Sequence, residues 1–138
     1  MSTIFEKIIS KEIPAEILYE DENTLAFLDA NPCSEGHTLV IPKKAVSNLI
    51  EADEETVSNL FKTVKRVTKT LAESDLDPVG FSIGINHGEE AGQSINHLHV
   101  HIIPRYKGDG DGTIRSMHSI VSNPPTNDLN TVFNKIIK

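Results

Sequence analysis

His97-Leu98-His99-Val100-His101-Ile102-Ile103 alternates imidazole with aliphatic side chains. A β-strand sends residues i, i+2 and i+4 to one face. The spacing therefore predicts a strand over Ile95 to Ile103, closed by Pro104, with three histidines on one side and Leu98, Val100 and Ile102 turned into a core. A solvated strand face is one reading of such a run. A metal site is another. Two histidines two apart can share an ion, but the outer pair spans roughly 13 Å of strand. No Cys, Asp or Glu stands beside them, and only His37 or His87 could add a ligand, so no metal is expected. A catalytic reading accounts for more of the pattern. Neutral imidazole attacks phosphorus well and leaves a phosphoramidate readily, provided one ring nitrogen is free and the other is held as an N–H donor. A neighbouring histidine can hand a proton to the leaving group, an effect worth roughly 100- to 10,000-fold.

The segments before this strand suit a small anion. Gly92 lets the backbone approach closely, and Gln93 and Ser94 offer side-chain donors beside the histidines. Asn86 ends the preceding strand at the same rim; for Asn86 and Ser94, ordinary turn chemistry is the alternative. His37 opens the apolar run His37 to Ile41, either as a satisfied core residue or as a fourth member of the cluster. Cys33 is the single cysteine, a packing residue or a thiol nucleophile. Lys43 and Lys44 are expected to face solvent. His87 and His118 have no supporting context and receive no role.

Working outward, Ile4, Phe5, Ile8 and Ile9 predict a short helix over Thr3 to Lys11, stopped by Pro14. Glu16 to Glu20 and Thr24 to Leu28 read as strands joined by a turn at Asp21-Glu22-Asn23. Asn31 to Gly36 is a loop, and His37 to Ile41 a buried strand. Asp53 is placed to cap a long helix with Glu54 and Glu55 in its first turn, and Val57, Leu60, Phe61, Val64, Val67 and Leu71 form its apolar stripe. Asp77-Pro78 ends that segment. Phe81 to Asn86 is a strand and His87 to Gly92 a loop. Lys107 to Gly112 is a flexible loop, or the start of a calcium loop that lacks its twelfth-position Glu. Leu129, Val132, Phe133, Ile136 and Ile137 predict a terminal helix that covers either its own domain or a partner subunit.

Composition bounds the partners. The chain has 138 residues, enough for one domain with a real core. Its net charge of −7 argues against a nucleic-acid partner, which calls for a basic face. One thiol cannot form an internal disulfide or a cysteine zinc cluster, which points to a cytoplasmic protein. No apolar run reaches the roughly 20 residues of a membrane span, and charged residues interrupt the N-terminus where a signal peptide would be apolar.

The run His97 to Ile103 resembles the His-φ-His-φ-His-φ-φ signature of the histidine triad (HIT) family. The similarity extends to Ile4-Phe5 through Glu12-Ile13-Pro14, to Leu25-Ala26-Phe27-Leu28-Asp29, to Gly36 through Lys43, and to Ala91-Gly92-Gln93-Ser94. It covers residues 3 to 106 and looks most like the HINT-type branch of nucleoside phosphoramidases. The resemblance implies a single α+β domain: an antiparallel sheet with one long helix and short flanking helices, two subunits joining their sheets into a homodimer. It implies a nucleotide hydrolase or transferase that cleaves the α-phosphate of a nucleoside 5′-monophosphate from its leaving group, without a cofactor, on an AMP-like purine nucleotide. His99 would be the nucleophile. His97 would hydrogen-bond within the triad with support from His37. His101 and Ser94 would meet the phosphate. Asn86 and Gln93 would bind the phosphate region, Asp29 the ribose hydroxyls, and Ile4, Phe5, Ile8, Phe27 and Leu39 would wall the base pocket. Dinucleoside polyphosphate cleavage and a nucleotide-binding scaffold with vestigial turnover are the rival activities. Thr3-Ile4-Phe5-Glu6 stands where some relatives carry a Cys-x-x-Cys zinc site, and residues 107–138 diverge and contain no Trp.

Overall fold

The computed structural model of the chain describes residues 2–110, 117–119 and 123–137. Thr3 caps the first helix, α1 (Ile4–Ile9), in a reciprocal box: its side chain accepts from Glu6 N–H while the Glu6 carboxylate accepts from Thr3 N–H. The helix stops before Lys11 and Pro14. Lys11 takes φ of 68°, and the amides of Glu12 and Ile13 both turn back to the Lys7 carbonyl. Strands β1 (Ile17–Glu20) and β2 (Thr24–Leu28) form a hairpin. Asp21 makes the turn, its Oδ1 accepting from the amides of Asn23 and Thr24.

Strands β3 (Thr38–Pro42), β4 (Gly80–Gly84) and β5 (Val100–Arg105) complete a five-stranded antiparallel sheet in the order β1-β2-β3-β5-β4. Every residue of β2, β3 and β5 is buried, because both sheet faces are covered. On one face Ala26, Leu28, Val40, Val100 and Ile102 meet helix α2 (Glu54–Ala72) through Leu60, Val64, Val67 and Leu71. On the other, Leu25, Phe27, Leu39 and Ile41 meet Phe5 and Ile8 of α1. This alternation is the period-2 pattern of the strands made physical. The stripe of α2 differs from expectation at its edges, where Val57 is only half-buried. Phe61 is exposed and Thr63 is buried in the helix–sheet contact, where its hydroxyl lies 2.7 Å from that of Thr24.

The triad strand differs more. It pairs only from Val100: residues 95–97 bend and 98–99 run on irregularly, with the Leu98 amide bonded to the Val46 carbonyl instead of to a ladder. At its other end the strand runs through Pro104 to Arg105. The last β3 pair is Thr38↔Ile102, so Pro104 faces a partner strand only at β4. Strand β4 ends at Gly84, short of Asn86. The C-terminal helix α3 (Leu129–Ile136), capped by Asp128, buries Val132 and Ile136 in the same core as α2, so it covers its own domain. The Asp109 carboxylate in the 107–110 turn accepts from the Tyr106 amide and the Asn123 side chain, which makes it a loop tie. Asp111 and Gly112 of the suspected calcium loop lie outside the described residues. Among the described residues no helix is long and apolar enough to cross a membrane.

Candidate active site

A cavity of about 940 Å³ opens where α1, the end of β2, the start of β3 and the triad segment converge. That volume suits a small-molecule ligand of nucleotide size. Ile4, Phe5, Ile8, Phe27 and Leu39 line it, as the resemblance implies, and Ile13, Pro14 and Ile95 add to the same apolar wall. Asp29, Asn86, Ser94, His37, His99 and His101 are among its polar groups.

The hydrogen bonds of the histidines determine where their protons sit. His99 Nδ1 lies 2.7 Å from the His97 carbonyl, which can only accept. The proton is therefore on Nδ1, and Nε2 keeps its lone pair. His37 Nδ1 accepts from the Cys33 amide at 3.0 Å, so His37 carries its proton on Nε2 and donates it to His101 Nδ1, also at 3.0 Å. His101 must then hold its own proton on Nε2. A backbone amide thus fixes the tautomers of two buried rings in series, and the cavity receives one imidazole with a free lone pair beside another with a free N–H. The two ring centroids are 5.1 Å apart.

Burial keeps these rings neutral. Desolvation lowers the pKa of His37 to about 4 and of His101 to about 3, with the neighbouring imidazoles acting in the same direction. His99 is lowered too, chiefly by desolvation and against the pull of the His97 carbonyl. Asp29, whose Oδ2 stands 3.5 Å from His37 Nε2, is raised by burial. Phe5 sets its edge against His99, 5.0 Å between centroids, and completes the apolar flank.

His97 bonds within the triad through its backbone: its carbonyl accepts from His99 Nδ1, while its own ring Nε2 donates to the Pro42 carbonyl at 2.8 Å. Two expectations change. His37 supports His101, not His97. The Gln93 side chain stands apart from the cavity. Its Oε1 accepts from the Gly88 amide and its Nε2 donates to the carbonyls of Ser47 and Ile95, so the side chain braces the loop and does not line the cavity.

Sequence reading also missed His118. Its ring lies 4.5 Å from that of His101 and 6.1 Å from that of His37, and it lines the cavity. Nothing periodic surrounds it in the chain. One group among the described residues could hold a cation: Asp29, His37 and His101 each offer a ligand atom within 4.8 Å of the others. The sequence-based expectation of no metal counted His37 as a possible extra ligand but not Asp29, which only the fold brings beside His37 and His101.

Residues 10–108 match the HIT domain model. An uncharacterised HIT-like protein of Methanocaldococcus jannaschii is 50% identical over 108 residues, covering 78% of this chain and 82% of its own. The adenosine 5′-monophosphoramidase of Schizosaccharomyces pombe is 40% identical over 105 residues, 76% of this chain and 75% of its own. Among solved structures, a zinc-bound histidine triad family protein from Mycobacterium smegmatis superposes with a TM-score of 0.84 at 35% identity, over 99% of this chain and 91% of its own. A domain match over residues 10–108 and a relative 50% identical across most of both chains show that the chain belongs to the histidine triad family.

Proposed function

We propose that this protein is a nucleotide hydrolase that releases a nucleoside 5′-monophosphate from a phosphoramidate, by way of a nucleotidyl group on His99. The observation that carries the reading is the pair of opposed tautomers. His99 Nε2 has the lone pair needed to attack phosphorus, and the His101 Nε2–H can meet a phosphoryl oxygen or the departing nitrogen. In the first step a bond forms between His99 Nε2 and phosphorus, and the bond from phosphorus to a substrate nitrogen already protonated by solvent breaks, so that the amine departs neutral while the His101 Nε2–H donates a hydrogen bond to a phosphoryl oxygen. In the second step water displaces His99, releases a proton to solvent and frees the monophosphate. Two in-line displacements retain configuration at phosphorus. Ser94 and Asn86 would bind phosphoryl oxygens, Asp29 the ribose hydroxyls, and Phe5 and Phe27 the base. The similarity to an adenosine 5′-monophosphoramidase supports adenine as that base.

One feature favours a phosphoramidate over a dinucleoside polyphosphate. Among the described residues lining the cavity there is no Lys or Arg, while Asp29 and Glu16 are both there. A polyphosphate leaving group carries several negative charges that such a wall does not offset. We further propose that the protein acts as a homodimer. Among the described strands β4 is an edge of the sheet, and Ile83 and nearby Val79 are exposed on it; sedimentation of a monomer at micromolar concentration would count against the dimer.

Release of AMP from adenosine 5′-phosphoramidate and from a diadenosine polyphosphate, side by side, tests the reading. Fast phosphoramidate turnover that disappears in His99→Ala supports it. Faster polyphosphate cleavage would replace it with the rival hydrolase. AMP binding without turnover of either would make the chain a nucleotide-binding scaffold.

A further inference from the structure

The rings of Phe5, His99, His101 and His118 follow one another across the cavity, with successive centroids 5.0, 5.1 and 4.5 Å apart. The Phe5 end is apolar, walled by Ile8 and Phe27. If the reading above holds, the base lies at that end and phosphorus sits beside His99 and His101. The group that departs must leave away from the attacking His99 nitrogen, so it faces the other end, where His118, Met117 and Cys33 line the wall.

That end is built and held. His118 Nε2 is 3.0 Å from Asn86 Nδ2, an amide nitrogen that can only donate, so the ring proton is on Nδ1, facing Cys33 Sγ at 3.5 Å. The backbone on either side of His118 is tied to the sheet by Arg105. Its guanidinium donates to the Ser119 carbonyl at 2.6 Å and to the Met117 carbonyl, while Nε donates to Ser82 Oγ at 2.9 Å. Arg105 is itself buried at the end of β5. Met117 seats against Gly84 of β4: a Cβ there would stand 2.7 Å from its sulfur, so the close approach depends on glycine. A charge-assisted clamp and a side-chain-free seat therefore place one imidazole face at the far end of the site.

We propose that His118, with Met117 and Cys33, forms a leaving-group subsite that selects amines carrying an apolar or aromatic body. An imidazole, a thioether and a thiol make a polarisable wall with contact preferences for aromatic rings. No cation lies among the described lining residues to favour an anionic group.

The proposal rests on the nucleotide reading, so the test uses binding rather than turnover. Wild type, His118→Ala and His118→Gln are titrated by calorimetry with AMP and with a non-hydrolysable adenosine 5′-sulfamate bearing an indolylethyl group on its nitrogen. The expected result is tighter binding of the conjugate than of AMP by wild type, and a fall of at least tenfold in that preference in both variants. Glutamine keeps a partner for Asn86 but removes the ring face, so it should behave like alanine. An unchanged preference in both variants, or equal losses for the two ligands, overturns the subsite while leaving nucleotide binding intact. A wild type that binds neither ligand overturns the nucleotide reading and the subsite together.

Discussion

His37 Nε2 donates to His101 Nδ1 across 3.0 Å, and both rings are buried. That one bond determines which nitrogen of His101 offers a proton to the cavity. Replacing His37 with alanine removes it and leaves a buried acceptor without its donor, a loss of about 1–3 kcal/mol. His37→Ala should melt several degrees lower, and its kcat should fall at least tenfold, because His101 can then adopt the tautomer that points its lone pair at the phosphate. Steady-state kinetics on adenosine 5′-phosphoramidate beside a thermal melt checks both; wild-type kcat with a lowered melting temperature would make the bond purely structural.

The same two rings make stability depend on pH. Both have folded pKa values, about 4 and about 3, below the ordinary imidazole value near 6.5. Between those limits the unfolded chain binds more protons than the folded one, so stability is complete above about pH 6.5 and falls as pH drops toward 4. Melting temperatures recorded at pH 7.5, 6, 5 and 4.5 should decline steadily. The decline should be shallower in a His37→Asn/His101→Asn double variant, and an equal slope would assign it to other groups.

Catalysis should tolerate mild acid. Burial lowers the pKa of His99, so the nucleophile stays neutral below the pH at which a free imidazole protonates. The acid limb of kcat/KM for the free enzyme is therefore expected below pH 6.5. A limb at or above that value would mean that His99 is solvated as a free imidazole is.

Gln93 should behave as a brace. Its amide joins the Gly88, Ser47 and Ile95 backbones, so Gln93→Ala should lower stability to urea by about 1–3 kcal/mol. Its AMP affinity should change less than that of Asp29→Ala, whose carboxylate lines the cavity. A larger affinity loss in Gln93→Ala would return the residue to phosphate binding.

What sequence alone could show here was whatever has a local period. The alternation did send Leu98, Val100 and Ile102 to the core and His99 and His101 to the cavity, although His97 is buried on the Pro42 carbonyl and the ladder begins only at Val100. The register fails at residues 95–99 because the Leu98 amide is bonded to Val46, a partner far away in the chain. The partners of Gln93 and His37 were out of reach of local spacing for the same reason: Ser47 and His101 are 46 and 64 residues away. Phe61 fits the helical period of α2 yet lies at the rim of its buried stripe, where period alone cannot separate core from edge. His118 has no period at all, and its place follows from the Arg105 clamp and the Gly84 seat.

The central claim is a covalent bond between phosphorus and His99. Wild-type enzyme mixed with adenosine 5′-phosphoramidate, quenched within a turnover at alkaline pH and digested, should yield an AMP-modified peptide whose fragmentation places the adduct on His99. His99→Ala should yield no adduct and no fast AMP release. AMP release at the wild-type rate from His99→Ala, or an adduct carried by another residue, would contradict the account.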